Sequence, residues 1–327
     1  MGKKGFCGAL ALSAVMLTTP VLAQDSKQVR VGLGDIATVE TLNLLIALER
    51  AKERGLDVEF TAFKDEDVAA QAVVNGQVDI GIGAPYALIQ KVQAPIRLFY
   101  QLSTLKFYPV VDAEAYPDWQ SLDGQPFAYH GRGSGTEAMG KLLAEQNGIE
   151  FGEISYVPGS EVRATALMQG NIKATFLDIT NTNLVMEKMP GKFHVLPTGD
   201  INASDEALYA RLDWLEANPE TVQILLEELL KTWRDINADP KMVAAERERL
   251  GLLPDLPPDL EGQITPYFEQ AVGEAMFPND GGGEKAAQSD FAFYSKAGQL
   301  EGAVDELKIE DFWYFAPLEK ARAAVQG

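Results

Sequence analysis

A fifteen-residue segment occurs twice in this chain, 94 positions apart and without a gap. Ala70–Ala84 reads AQAVVNGQVDIGIGA and Ala164–Asp178 reads ATALMQGNIKATFLD, so Ala70, Ala72 and Gly76 stand opposite Ala164, Ala166 and Gly170. Each copy holds the end of a helix, a glycine stop and an apolar run too short to be a second helix. At the same offset the strand-like segment Val58–Phe63 falls on Gly152–Val157. Agreement of three successive elements points to two similar halves rather than chance.

The residues in front of each copy complete a unit. Val29–Leu33 alternates as a strand, Gly34–Thr38 is a polar loop, and Leu42, Leu45, Ile46, Leu48 and Ala51 mark one face of a helix. A further helix is expected over Asp67–Val74, with Asp65 and Asp67 at its positive end. In the second half Phe127–Tyr129 is the strand, His130–Gly135 the loop and Thr136–Gln146 the helix, stopped at Asn147–Gly148. Strands alternating with helices imply a mostly parallel sheet covered on both faces. The expected fold class is therefore α/β with two lobes, each a mostly parallel sheet flanked by helices. Lobe I takes residues 24–110 plus 200–327, and lobe II takes residues 111–199. Two hinge crossings join them, one within Leu98–Asp112 and a return at Phe193–Leu196. Asn218–Pro219 then starts a helix striped by Val222, Leu225, Leu226, Leu229, Leu230 and Trp233.

Residues 1–23 read as a cleavable export signal. Lys3 and Lys4 precede the apolar core Ala9–Leu17, and Val21-Leu22-Ala23 offers small residues for cleavage after Ala23. The mature chain is accordingly expected in the periplasm. The single cysteine, Cys7, precedes the apolar core, so residues 24–327 contain no thiol for disulfides, metal ligation or nucleophilic catalysis. The formal net charge of −20 becomes more negative still when Lys3 and Lys4 are removed. A nucleic-acid partner is excluded by that balance, because phosphates are held by Lys and Arg. The charge alone does not make the ligand a cation, since a solvated acidic surface would give the same count. The two histidines, His130 and His194, have no partner at metal-ligand spacing, and neither metal nor cofactor is expected.

Ligands of open parallel sheets bind beyond the carboxyl ends of the strands. Four loops should therefore converge on one cleft. From lobe I come Asp35, Ile36 and Thr38, and also Ala84, Pro85 and Tyr86. From lobe II come Gly133, Ser134, Gly135 and Thr136, together with Asp178, Thr180 and Asn181. Glycines and hydroxyls at a helix start suit a polar oxygen, although the same residues would serve as a helix cap. Asp178 and Asp35 would accept from an amine, amide or ring N–H, and either could instead cap the helix that follows. Tyr86 and Tyr108 could stack on a flat ligand or belong to the core. His130 borders the glycine loop.

Asn75–Pro85, Ser121–Pro126 with Gly133–Thr136, Leu215–Trp233 and Pro317–Ala321 resemble segments of a known family. It is the substrate-binding proteins of ABC importers of the nitrate, sulfonate, taurine and thiamine-precursor type, the SsuA/THI5-like or NMT1-like group. The resemblance covers nearly the whole mature chain. It implies a type II periplasmic binding protein, a monomer and no enzyme. Such a protein closes on a small molecule and delivers it to a membrane permease served by a separate ATPase subunit. It places ligand contacts in the four loops named above. The residues tilt the ligand toward a polar, nitrogen-containing or aromatic molecule, with an organic oxyanion as the alternative. The thiamine-precursor synthases share the fold, but the cysteine-rich motif of that enzymatic activity is missing from residues 24–327.

Overall fold

The computed structural model describes residues 1–2, 27–199, 201 and 203–325. The proposed leader, apart from its first two residues, lies outside them.

Among the described residues ten strands form two five-stranded sheets. They are β1 (Lys27–Leu33), β2 (Leu56–Ala62), β3 (Ile80–Gly83), β4 (Ile96–Gln101), β5 (Tyr108–Asp112), β6 (Phe127–Tyr129), β7 (Ile154–Tyr156), β8 (Ala174–Leu177), β9 (Phe193–Val195) and β10 (Ala207–Arg211). The first sheet runs β2-β1-β3-β10-β4 and the second β7-β6-β8-β5-β9. In each sheet three parallel strands are followed by an antiparallel one: β10 lies against β3, and β5 against β8. That fourth strand is the one delivered by a chain crossing from the other sheet. The two sheets thus repeat one another in order and direction.

Six helices flank these strands: α1 (Leu42–Glu53), α2 (Glu66–Val74), α3 (Tyr86–Val92), α4 (Gly135–Asn147), α5 (Ser160–Met168) and α6 (Ile179–Lys188). The 94-residue offset carries α2 onto α5 and β3 onto β8 residue for residue. Both helices stop for the same reason. Gly76 and Gly170 adopt φ of 71° and 75°, a left-handed turn that glycine takes without a Cβ clash. The strand after each stop is buried along its whole length, which explains its unbroken apolar character.

The expected return crossing at Phe193–Leu196 falls elsewhere. β9 pairs antiparallel with β5 inside the second sheet, with Val111 opposite His194. His194 is fixed there by a 2.8 Å contact from Nε2 to Tyr116 O. The crossing comes later, at residues 203–206, because β9 is needed to cover the outer edge of β5.

The C-terminal third covers the first sheet. Helix Pro219–Ala238 buries Val222, Leu225, Leu226, Leu229, Leu230, Trp233 and Ile236, and packs on α1 and on the closing helix Ala316–Val325. Each such side chain contributes roughly 1.5–3 kcal/mol, so this stripe fixes the helix without help from the second sheet. Trp233 Nε1 also donates to Leu102 O at 2.7 Å, tying that helix to the first crossing.

β3 carries glycine for a packing reason. A Cβ on Gly81 would overlap the Tyr209 ring of the neighbouring strand, whereas one on Gly273 would meet nothing. Gly81→Ala is expected to cost about 1–3 kcal/mol by overpacking. Gly273→Ala, at the end of a helix, is expected to leave stability unchanged or to raise it by up to about 1 kcal/mol. Urea unfolding of the two variants checks both.

Candidate functional site

The two crossings run antiparallel to one another. Leu105 N–H donates to Ala203 O at 2.8 Å, Asp205 N–H to Ser103 O at 3.0 Å, and Leu102 N–H to Glu206 O at 2.9 Å. Beside this two-stranded link lies a cleft between the sheets. The link contributes Leu102, Ser103, Asp205 and Glu206 to its wall. From the first sheet come Asp35 after β1, Glu40 in the short turn before α1, Asn43 at the start of α1, Glu66 at the start of α2 and Ala84 after β3. From the second come His130, Gly133, Gly135 and Thr136 after β6, with Ser160 and Arg163 on α5. Phe107, Trp233, Tyr267, Met276 and Phe277 supply an apolar floor.

The charge of this wall is one-sided. Asp35, Glu40, Glu66, Asp205 and Glu206 face the cleft, and Arg163 is the only Lys or Arg among the lining residues. That guanidinium is already engaged: Nε donates to Phe176 O at 3.0 Å and Nη1 to Val157 O at 2.8 Å. Burial pulls its pKa down. Carboxylates crowded in a desolvated space hold their protons. The Glu66 side chain keeps 44% of its surface exposed, and its enclosure by the cleft walls, then the charges of Glu206 and Asp35, pushes it up to about 8. Burial and Asp35 push Glu206 up to about 7. Glu40 and Asp205 are raised well above the ordinary range, again mainly by burial, with Asp178 and Glu206 respectively the largest charges acting on them. Burial lowers the His130 pKa against the opposing pull of Asp35.

Of the residues expected in the cleft, Asp35, Ala84, His130, Gly133, Gly135 and Thr136 line it. The others are placed differently. Ile36 is 59% exposed. Thr38 caps a short 3-10 turn, Val39–Thr41, by exchanging hydrogen bonds with Thr41. Pro85 sits at the start of α3, and Tyr86 turns inward from it. Tyr86 is fully buried among Phe291, Tyr294 and Phe312; its hydroxyl donates to Asp290 at 2.5 Å and accepts from Trp313 Nε1 at 2.9 Å. Tyr108 begins β5 and its hydroxyl donates to Glu274 at 2.7 Å. Ser134 caps α4, its Oγ accepting from Glu137 N–H. Asp178 caps α6: its carboxylate accepts from Asn181 N–H at 2.7 Å and from Asn181 Nδ2 at 2.8 Å. Thr180 is buried in the first turn of the same helix. The repeat places Asp178 one residue beyond its strand as it places Ala84, but capping turns the carboxylate to the backbone.

Glu40, Glu66, Asp205, Glu206 and Arg163 were not anticipated. Glu66, just ahead of the helix expected over Asp67–Val74, and Glu40 have no motif around them. Only Asp205-Glu206, set directly before the apolar strand Ala207–Ala210, carried a signal.

Two mostly parallel sheets joined by two crossings beside a cleft form the two-lobed architecture of periplasmic binding proteins. The chain belongs to the NMT1/THI5-like family, whose model matches residues 43–243. The nitrate-binding protein NrtA from Synechocystis PCC 6803 is 14% identical, with 92% of this chain and 90% of that chain covered at a TM-score of 0.70. The alkanesulfonate-binding protein SsuA from Xanthomonas axonopodis pv. citri, bound to MOPS, is 16% identical, with 86% and 96% covered at 0.64. A ligand-binding component of an ABC-type import system from Staphylococcus aureus, with zinc bound, is 15% identical, with 90% and 99% covered at 0.70. At these identities the likeness is one of fold. No curated protein sequence matches the chain significantly.

The folded-state pKa values of Glu66 and Glu206, about 8 and about 7, lie above the ordinary 4.5. The folded protein therefore binds more protons than the unfolded chain in that window. The stability these two groups contribute is fully present below about pH 4.5 and is lost as pH rises through 7 and 8. The Tm of the protein without solute should fall from pH 6 to about 8.5, and Glu66→Gln should flatten the fall in differential scanning fluorimetry. Asp178→Ala should cost about 1 kcal/mol by loss of the α6 cap, measured by urea unfolding.

Proposed function

We propose that this chain is an exported solute-binding protein that captures a small organic molecule with a basic nitrogen and delivers it to an ABC importer. In this reading residues 1–23 are removed after Ala23 and the mature protein works in the periplasm as a monomer. The lobes divide at the two crossings, residues 102–105 and 203–206, rather than at 110/111 and 199/200, because β5 (Tyr108–Asp112) pairs within the second sheet. The cleft takes the solute, the lobes turn about residues 102–105 and 203–206, and the closed form meets a permease whose ATPase is a separate subunit.

One observation carries the choice of solute: five acidic side chains face the cleft, and its single guanidinium is held by backbone carbonyls. A bare oxyanion such as nitrate or an alkanesulfonate brings no positive charge to these carboxyls and would be repelled by each one that ionises. A protonated amine, amidine or guanidine would displace protons from them and be held by short charge-assisted hydrogen bonds. The floor of Phe107, Trp233 and Tyr267 suits the hydrocarbon or ring part of such a molecule. The family and fold support binding over catalysis, since the structurally similar chains named above are binding components.

Thermal-shift and calorimetric screening of organic cations against nitrate and alkanesulfonates tests the reading. Cations should stabilise the protein, and Glu66→Gln together with Asp205→Asn should weaken their binding by at least tenfold, about 1.4 kcal/mol. Affinity should also rise from pH 6 to 8, because the bound cation replaces protons held by Glu66 and Glu206. Saturable binding of nitrate or a sulfonate with no response to cations would overturn it.

A further inference from the structure

The two faces of the cleft do not carry the same chemistry. Its carboxylates come from the first sheet and the crossings, whereas the face built on the second sheet presents Arg163, Ser160, Thr136 and His130. His130 is the informative one. Its Nδ1 accepts from the Gly159 backbone N–H at 3.3 Å and lies 3.4 Å from Arg163 Nη1. Both neighbours are donors, so Nδ1 is the acceptor nitrogen and the ring proton sits on Nε2. That Nε2 is buried and has no hydrogen-bond partner among the described residues, in a residue only 9% exposed on the cleft wall. Glu66 Oε1 stands 3.8 Å away, beyond hydrogen-bond reach.

An alternative occupant of Nε2–H would be a cross-cleft ion pair, with a protonated ring between Glu66 and Asp35. The Asp35 carboxylate is 3.5 Å from Nδ1. A proton on Nδ1 would, however, face the Gly159 N–H and the Arg163 guanidinium, donor against donor. Burial and Arg163 both act against the charged ring, opposed only by Asp35 and Asp65. The neutral ring is therefore a buried donor on the cleft wall that no group among the described residues meets. Among the described residues the carbonyls engage Arg163 Nε and Nη1, and none engages Nη2. Ser160 Oγ accepts from Asp178 N–H at 3.1 Å, leaving its own proton free to donate.

We infer that the solute is bipolar: its basic nitrogen lies against the carboxylates of the first lobe, and a carboxylate or carbonyl oxygen accepts from His130 Nε2–H beside Arg163 on the second. The inference rests on the cleft being the site of a nitrogenous solute, and it adds the other end of the molecule. A cation without an acceptor leaves the His130 donor unpaired in a desolvated wall, which is costly. An anion without a cation meets the carboxylates. A molecule with both ends satisfies both faces, and each end holds one lobe, so binding and closure favour each other. His130 becomes a specificity-determining residue rather than the centre of a cross-cleft ion pair.

Two pairs of compounds that differ only by a carboxylate test this: lysine with cadaverine, and arginine with agmatine, measured by calorimetry beside caproate. In the unaltered protein the carboxylate-bearing member of a pair should bind at least about tenfold more tightly. His130→Phe, which keeps a ring and removes the donor, should abolish that preference. His130→Gln, which restores an N–H, should recover part of it. Equal or tighter binding of cadaverine or agmatine, or a preference untouched by His130→Phe, overturns the bipolar assignment while leaving the cation site standing. Binding of caproate with none by the four amines overturns the cation site itself, and no binding by any of the five overturns the bipolar assignment.

Discussion

Everything about this cleft depends on how the chain crosses between the sheets. Each crossing strand leaves one sheet and becomes the antiparallel fourth strand of the other, β5 after residues 102–105 and β10 after residues 203–206. Neither sheet can be completed without the other half of the chain. The second crossing is pinned from below by a buried polar network. Ser204 N–H donates to Asp290 at 2.6 Å, Tyr294 hydroxyl donates to Ser204 O at 2.9 Å, and Gln101 Nε2 donates to Ser204 Oγ at 2.9 Å. Asp290 also receives Tyr86, and burial raises it to about 6. Asp205 and Glu206 follow directly on Ser204, so the strand that is anchored in the core on one side delivers two carboxylates to the cleft on the other.

Those carboxylates are an electrostatic cost that the fold bears in advance of any ligand. Burial first, and the neighbouring carboxylates second, raise their pKa values, and a positive partner would relieve both. The chain could have met that preference internally, as it does where Asp79 accepts from the Arg30 backbone and guanidinium at 2.6–3.0 Å. In the cleft it does not. Perturbed carboxylates in a shared cleft, with a donor left open on the opposite wall, are what distinguish a site from a stabilising ion-pair network.

The sequence revealed the architecture well and the site only partly. The repeat was legible because a helix stop at Gly76 or Gly170 and a fully buried four-residue strand impose strong, local requirements on residue type. The return crossing was misplaced by about ten residues because Phe193–Val195 has strand character wherever it pairs, and pairing with β5 is a long-range choice. Asp35, His130 and Thr136 were found from their position after strands β1 and β6. Tyr86 was drawn to the cleft by the same rule, and the aromatic cluster of Phe291, Tyr294 and Phe312, more than 200 residues away in sequence, holds it in the core instead. Glu40 and Glu66 are hidden by abundance: in a chain of net charge −20, one more acidic residue carries no local mark, and only the position of Asp205-Glu206 before an apolar strand sets that pair apart.

The central claim is that the cleft exchanges protons for a positively charged solute, and counting those protons tests it most directly. Calorimetric titration of a stabilising organic cation at pH 7, repeated in buffers of different ionisation enthalpy, gives the number of protons released per molecule bound. The account predicts net release, diminished in Glu66→Gln, because Glu66 and Glu206 sit at about 8 and about 7 before binding. Binding with no proton release, or with uptake, would contradict it.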